Sequence, residues 1–436
     1  MTTPDNDWRT APDDERYARA LAALHEVLQF GIEASLEGMF ALMEFIGNPE
    51  RAYPSIQIAG TNGKTSTARF TAAILKACGY QTGLYTSPEL IEYPERIELD
   101  GQVISHGLFA SVVLEAYDAA QEAIAKGLIG SITEFEVLTA AALSLYAQRP
   151  VDFAVLEVGL GGRWDATSVV TPVVAVVTGI GLDHINILGD TVEKIAAEKA
   201  AIIKPGGQAI LGPGTAETRQ VFLDRCAEVG ATYQIIETPS QPAFDYLGPS
   251  YQQTNIAVAR AAVETALGHP VEHETVQRAL NDLVIPGRFE TIRAEPLLMI
   301  DASHNPQSAI YLRQALLERY GLQTNARGEE RLNTLHTLLL GILADKDAKG
   351  IIEALTPLFS QLVVTQSTSD RAIEASELAS LVEAIDGRRP AVYADVEAAF
   401  AAVTASGQPT MATGSITIAG EVKAACTGRP QRQHLA

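Results

Sequence analysis

The chain has 436 residues, 47% of them hydrophobic, and a formal charge of −21 from 53 acidic against 32 basic side chains. That length exceeds what a single hydrophobic core fills, so two domains are expected. The acidic balance excludes a nucleic-acid or anionic-membrane surface, which needs clustered Lys and Arg, and leaves any anionic ligand to a few well-placed cations.

From the N-terminus, Met1 to Glu15 is polar and acidic, unlike a secretory signal, and no apolar run approaches the length of a membrane span. Cys78, Cys226 and Cys426 lie far apart and match no metal or disulfide spacing, so free thiols in a reducing compartment are expected. The expected location is the cytoplasm and the expected state a monomer.

Tyr17 to Ile46 has helical periodicity and stops at Gly47-Asn48-Pro49. An apolar strand, Ser55–Ala59, then runs into Gly60-Thr61-Asn62-Gly63-Lys64-Thr65-Ser66 and a helix to about Cys78. This is the pattern of a phosphate-binding loop. Gly60 and Gly63 allow a tight turn with inward N–H groups, Lys64 supplies a cation, and Thr65 or Ser66 offers a hydroxyl to Mg²⁺. The helix aims its positive end at the same phosphates. Ile58 stands where the usual pattern has an earlier glycine, so the loop is a short variant.

A strand at Thr82–Thr86, helices at Phe109–Leu128 and Glu134–Gln148, and apolar strands at Phe153–Val158 and Val173–Thr178 follow, then a helix through Thr191–Ile203. Strands separated by helical stretches imply a parallel, doubly wound sheet. Val284 to Phe289 reads as a linker, placing a boundary after residue 285. Beyond it strands are expected at Leu297–Ile300, Thr337–Ile342 and Gln361–Thr365, with helices at Ser308–Tyr320, Lys349–Leu358 and Ala375–Ile385. Gln323 to Asn333 reads as a flexible polar loop.

Nucleotide chemistry needs an acid to hold Mg²⁺ at the carboxyl end of a strand near the phosphate loop. Glu157 ends the strand Phe-Ala-Val-Leu-Glu and opens Glu157-Val-Gly-Leu-Gly-Gly-Arg163-Trp-Asp165-Ala-Thr167, whose glycines let the backbone approach a ligand. His184, after the next strand, falls at the same sheet edge and reads as a ligand. Lys199, by spacing alone, reads as a solvated helix lysine.

Five segments together resemble the folylpolyglutamate synthases and dihydrofolate synthases, relatives of the Mur ligases: Ile-Ala-Gly-Thr-Asn-Gly-Lys at 58–64, Thr-Ser-Pro…Glu-Arg-Ile at 86–97, the glycine-rich 157–167 segment, Asp-His…Leu-Gly at 183–189 and His-Asn-Pro at 304–306. Pro-Gly-Arg-Phe-Glu (286–290), Ala-Asp-Lys-Asp (344–347) and Thr-Gly-Ser…Gly-Glu-Val (413–422) extend the match over nearly the whole chain from about Tyr17. The resemblance implies an α/β fold: a P-loop-containing, doubly wound parallel-sheet ATPase domain at 1–285 that binds ATP and folate, then a smaller Rossmann-like α/β glutamate-ligase domain at 286–436.

It further implies ATP phosphates on Gly60 to Ser66, with Asn255, Arg288 and Asp301 contacting the nucleotide. Two Mg²⁺ ions would be held through Thr65 or Ser66, Ser87, Glu157, His184 and a carbamylated Lys199. The pterin pocket would draw on Phe30-Gly31-Ile32, Phe135, Glu136, Trp164, Asp165 and Ala166; His304 and Ser415 would lie on the side where L-glutamate enters. The implied reaction phosphorylates the carboxylate of a folate or dihydropteroate to an acyl phosphate, which the amine of glutamate attacks, with domain closure excluding water.

Four positions depart from the family's usual pattern. Thr65 stands for a common glycine, Glu89 for a histidine, Ala201 for a glycine, and Asp301-Ala-Ser-His for Asp-Gly-Ala-His. Glu89 sets a negative charge near the expected anions. A Mur-type ligase for a UDP-linked peptide would carry a nucleotide-sugar domain of about 100 residues ahead of the loop, and only 59 precede Gly60 here. A poly-γ-glutamate ligase shares the chemistry. A non-enzymatic ATP-binding regulator would have no need of Glu157, His184 and Lys199.

Overall fold

The computed structural model describes residues 8–28, 35–324 and 328–429. The chain divides into two compact units. The first comprises the residues up to Glu89, Tyr93–Asp245 and Thr254–Asp282; the second comprises Leu90–Glu92, Tyr246–Gln253 and the residues from Leu283 on. Two short segments ahead of residue 285 thus group with the second unit.

The first unit contains strands β1 (Ser55–Ala59), β2 (Thr82–Tyr85), β3 (Ile97–Leu99), β4 (Gln102–Val103), β5 (Phe153–Glu157), β6 (Val174–Gly179), β7 (Gln208–Gly214) and β8 (Thr232–Ile235). They form one sheet in the order β4-β3-β2-β5-β1-β6-β7-β8. Six strands run parallel, and β3 and β4 add an antiparallel edge. The helices are α1 (Asp13–Leu28), α2 (Glu37–Phe45), α3 (Lys64–Ala77), α4 (His106–Ala125), α5 (Glu134–Gln148), α6 (Ile185–Leu188), α7 (Val192–Ala200), α8 (Arg219–Val229), α9 (Gln252–Leu267) and α10 (His273–Leu280). The helical stretch expected over Tyr17–Ile46 is two helices, α1 and α2.

Side chains alternate across a strand, and the registers put Gln57, Ala59, Leu156, Ala175 and Val177 on one face of this sheet. Over β2 and β5 that face packs into a cluster with Leu24, Leu42, Phe109 and Leu143 of α1, α2, α4 and α5. Over β6 and β7 it packs with Ile195 of α7 and Phe222 of α8. The opposite face, with Ile56 and Ile58, is covered by α3, which buries Phe70, Ile74 and Leu75 and packs against α10. The helices after β1 and β6 therefore lie on opposite faces, although these strands are neighbours. Such a switch point opens a crevice at the strands' carboxyl ends, where ligands of open α/β sheets bind.

The second unit has β9 (Glu290–Arg293), β10 (Leu298–Ile300), β11 (Leu322–Thr324), β12 (Glu330–Leu332), β13 (Thr337–Leu340), β14 (Gln361–Val364), β15 (Ala391–Val392) and β16 (Thr410–Thr413). Its main sheet has the order β15-β14-β13-β16-β10-β9, parallel except for β9. Helices α11 (Pro306–Tyr320), α12 (Ala348–Leu355) and α13 (Ala375–Asp386) cover one face; α14 (Val396–Ser406) and α15 (Ile416–Thr427) cover the other. The segment expected as a flexible polar loop, Gln323 to Asn333, instead contributes to an antiparallel pair, β11 with β12. Among the described residues no helix is long and apolar enough to cross a membrane.

Candidate active site

The loop between β1 and α3 is locked to the end of β6. Thr61 N–H donates to Gly179 O at 2.8 Å, and its hydroxyl exchanges hydrogen bonds with the backbone of Gly181 at 3.1 and 3.0 Å. Thr178 Oγ1 donates to Asn62 O at 2.7 Å. A Cβ on Gly60 would stand 1.9 Å from that threonine oxygen, so only glycine fits. Gly63, with φ +83°, turns the chain into α3, and a Cβ there would meet Asn255 Oδ1 at 2.7 Å. Asn255 thus sits directly against the loop. Lys64 curls back, its Nζ donating to Thr61 O at 3.3 Å. The first amides of α3 have no intrahelical acceptors and carry the positive end of the helix dipole, which suits a phosphate.

Glu157 ends β5, the strand beside β1, and is 1% exposed. Its Oε1 accepts from Thr65 Oγ1 at 2.8 Å and its Oε2 from Ser87 N–H at 3.3 Å. Ser87 Oγ is buried with no hydrogen-bond partner among the described residues. A buried hydroxyl left over beside a carboxylate fits an oxygen-seeking cation, since Mg²⁺ takes hard oxygen ligands and keeps several waters. Ser66 is buried in the first turn of α3. No group of three His, Cys, Asp or Glu side chains among the described residues is placed to hold a metal, so hydroxyls would have to complete the set. His184 follows β6 in a left-handed conformation, φ +50°. Its half-exposed ring has Nε2 3.9 Å from Asp183 Oδ1.

Lys199 overturns the solvated reading: it is 4% exposed. Burial lowers its pKa from 10.5 to about 7; the charge of Lys64 adds to the effect, while Asp183 and Asp165 oppose it. The glycine-rich loop packs closely on the backbone of α7 here: a Cβ on Gly162 would stand 2.8 Å from Glu198 O and 3.1 Å from Lys199 Cα. The same loop packs at its start on Phe135, whose Cζ would lie 2.7 Å from a Cβ on Gly159.

The carboxylates expected at a pterin have local partners. Asp165, buried, accepts from the N–H groups of Leu160 at 2.9 Å and Thr167 at 3.0 Å. Burial pushes its pKa up against those hydrogen bonds. Glu136 closes a capping box at the start of α5, accepting from Thr133 N–H at 2.8 Å. Ala166 is buried and Trp164 is 49% exposed; Phe30, Gly31 and Ile32 lie outside the described residues.

Glu89 places no free negative charge at the site. Its side chain is fully buried and accepts from Arg96 Nε. Sequence reasoning missed Arg96 as the partner of Glu89; the signal was the Glu-Arg-Ile motif at 95–97, seven residues on. Thr178 was missed too; the signal was a hydroxyl closing the apolar strand next to β1.

In the second unit, Asp301 is 2% exposed and organises the residues after the linker. Its Oδ2 accepts from Phe289 N–H at 2.7 Å and its Oδ1 from Ser303 N–H at 2.8 Å. Arg288 Nη1 donates to Gly287 O at 3.0 Å. His304 Nδ1 lies 2.9 Å from Ala302 O. Ser415, fully buried, caps α15 by accepting from Ile418 N–H at 3.1 Å.

Two family models match in chain order: the Mur ligase middle domain over residues 58–212 and the Mur ligase glutamate ligase domain over residues 287–415. The dihydrofolate synthase/folylpolyglutamate synthase of Mycobacterium tuberculosis is 35% identical over 387 residues, covering 80% of this chain and 77% of that protein. The chain belongs to the folylpolyglutamate synthase/dihydrofolate synthase family. Members of this family are ATP-dependent ligases, and so is this chain. The fold agrees: the structure of Mycobacterium tuberculosis folylpolyglutamate synthase complexed with ADP superposes with a TM-score of 0.85 at 31% identity, covering 97% of this chain and all of that one. A bifunctional folylpolyglutamate synthase/dihydrofolate synthase with Mn, AMPPNP and L-glutamate bound gives a TM-score of 0.81 at 28% identity, covering 96% and 98% of the two chains.

Proposed function

We propose that the chain joins L-glutamate to the carboxylate of a folate or a dihydropteroate, using ATP to form an acyl phosphate. The observation that carries this reading is the grouping at one switch point of a phosphate loop, a carboxylate held between Thr65 and Ser87, and a buried lysine with a depressed pKa. In this reading the first unit binds nucleotide and pterin, and the second carries the glutamate-side residues His304 and Ser415 and the nucleotide contacts Arg288 and Asp301.

ATP phosphates lie on the amides of Gly60 to Ser66, with Asn255 bracing Gly63. Lys64 offsets the charge that develops as the γ-phosphoryl group leaves ADP for the acceptor carboxylate. Thr65 or Ser66, Ser87, Glu157 and His184 would hold Mg²⁺, which when bound screens the phosphates and aligns them for transfer. Lys199, about half neutral near pH 7, has the free lone pair that attack on CO₂ requires. The amine adds to the CO₂ carbon and loses a proton, leaving a carbamate anion that would serve as an oxygen ligand for a second Mg²⁺ ion. Phe135 and Trp164 offer aromatic surface to a pterin. The amine of glutamate then attacks the acyl phosphate, and phosphate departs as the amide forms.

Isotope transfer tests the acyl phosphate. With the acceptor's carboxylate labelled in ¹⁸O, each turnover should carry one labelled oxygen into the released phosphate; unlabelled phosphate alongside amide product would overturn the mechanism.

A further inference from the structure

The segment that carries Ser87 is clasped at both ends. Thr86 N–H donates to Arg96 O at 2.9 Å, and three residues on, Glu89 accepts from Arg96 Nε. The two side chains are 0% and 9% exposed. The guanidinium lies 5.2 Å from the ring centroid of Tyr93 and 3.9 Å from Glu134 Oε1, at the first residue of α5. The next residue of α5, Phe135, packs on Gly159, two residues beyond Glu157. One arginine therefore links the segment bearing Ser87 to the helix that supports the loop leaving Glu157.

A buried ion pair adds little net stability over an apolar pair of the same shape. What this one fixes is geometry: Glu89 holds the guanidinium through Nε, Glu134 faces Nη2, and Tyr93 lies against it. We propose that Glu89 is a positioning residue, which through Arg96 holds the Ser87 hydroxyl and the Glu157 carboxylate at the spacing a divalent cation needs. The inference rests on the reading of Ser87 and Glu157 as cation ligands.

The test is Mn²⁺ affinity, followed by electron paramagnetic resonance on the full chain, for wild type, Glu89→Gln and Ser87→Ala. Loss of a partner that orients a ligand weakens metal binding by roughly 10- to 100-fold. Glu89 reaches the ligands only through Arg96, so Glu89→Gln should weaken Mn²⁺ by about tenfold, the low end of that range, while its KM for glutamate stays at the wild-type value. Ser87→Ala should weaken Mn²⁺ as well. Weakening in Ser87→Ala with wild-type affinity in Glu89→Gln overturns the positioning role and leaves the cation site standing. Wild-type affinity in both overturns the cation site itself, and the inference with it. Should Glu89→Gln fail to fold, Glu134→Gln, at a side chain 13% exposed, tests the same link. It should weaken Mn²⁺ in the same direction, and no change there overturns the proposal.

Discussion

Thr65 Oγ1 donates to Glu157 Oε1 at 2.8 Å, tying the first turn of α3 to the end of β5. The bond joins the phosphate loop to the acid expected to face its cation, and a glycine at residue 65 would leave it unmade. Glu157→Gln keeps the shape of the side chain and removes its charge. It should lower kcat by about 10²–10³, the usual cost of losing one electrostatic stabiliser, and raise the Mg²⁺ needed for half activity. The melting temperature should hold or rise, because a buried carboxylate is replaced by a neutral group. Unchanged kcat with normal Mg²⁺ dependence would remove Glu157 from the site.

Lys199 gives a signed pH dependence. Its pKa is about 7 in the folded chain against an ordinary 10.5, so the unfolded chain binds the proton more tightly between those values. Stability from this group therefore falls as pH drops from about 10.5 to 7 and is level below 7. In CO₂-free buffer, Lys199→Met should lose that slope and melt higher than wild type at pH 7. Carbamate formation needs the neutral amine and CO₂, so CO₂-stripped wild type should regain activity on re-equilibration with CO₂, faster as pH rises through 7 when the CO₂ pressure is held constant. Lys199→Ala should ignore CO₂ and be partly rescued by short carboxylates. Full activity in Lys199→Ala without rescue would contradict the carbamate.

Gly63 and Gly206 both have positive φ, +83° and +68°, but differ in surroundings. A Cβ on Gly63 meets Asn255 Oδ1 at 2.7 Å, whereas one on Gly206 meets nothing within 4 Å. Alanine at either position should cost about 1–2 kcal/mol of backbone strain, read as a lower melting temperature. Only Gly63→Ala should also raise the KM for ATP, by about tenfold or more, equivalent to about 1.4 kcal/mol. Equal ATP affinity in the two variants would separate Asn255 and Gly63 from nucleotide binding.

The phosphate loop was legible because its signal is local: an apolar strand, two glycines and a helix fall within twenty-odd residues. Helix α5 was legible down to its ends, set by the Thr133 and Glu136 capping box at one end. Lys199 was not legible from spacing, because burial of a helix residue is set by what packs on the helix from elsewhere in the chain, and the loop at Gly162, 37 positions earlier, lies against α7 here. The charge of Glu89 was misjudged for a related reason. Its neutralising partner is seven residues away, across a turn that brings Arg96 back onto it. The short edge strands β3, β4, β11 and β15 carry too few residues for a period to show. The β11 and β12 pair sits in a polar stretch that alternation does not reveal.

Glutamate ligation is tested most directly by phosphate release from ATP by the purified chain with Mg²⁺ and L-glutamate, with dihydropteroate and tetrahydrofolate supplied separately and product mass confirmed. Glutamate-dependent release is expected with at least one of them, with a product heavier by one glutamyl residue and loss of turnover in Lys64→Ala. ATP binding without turnover on either acceptor would contradict it and point to a ligase whose acceptor is not a pterin.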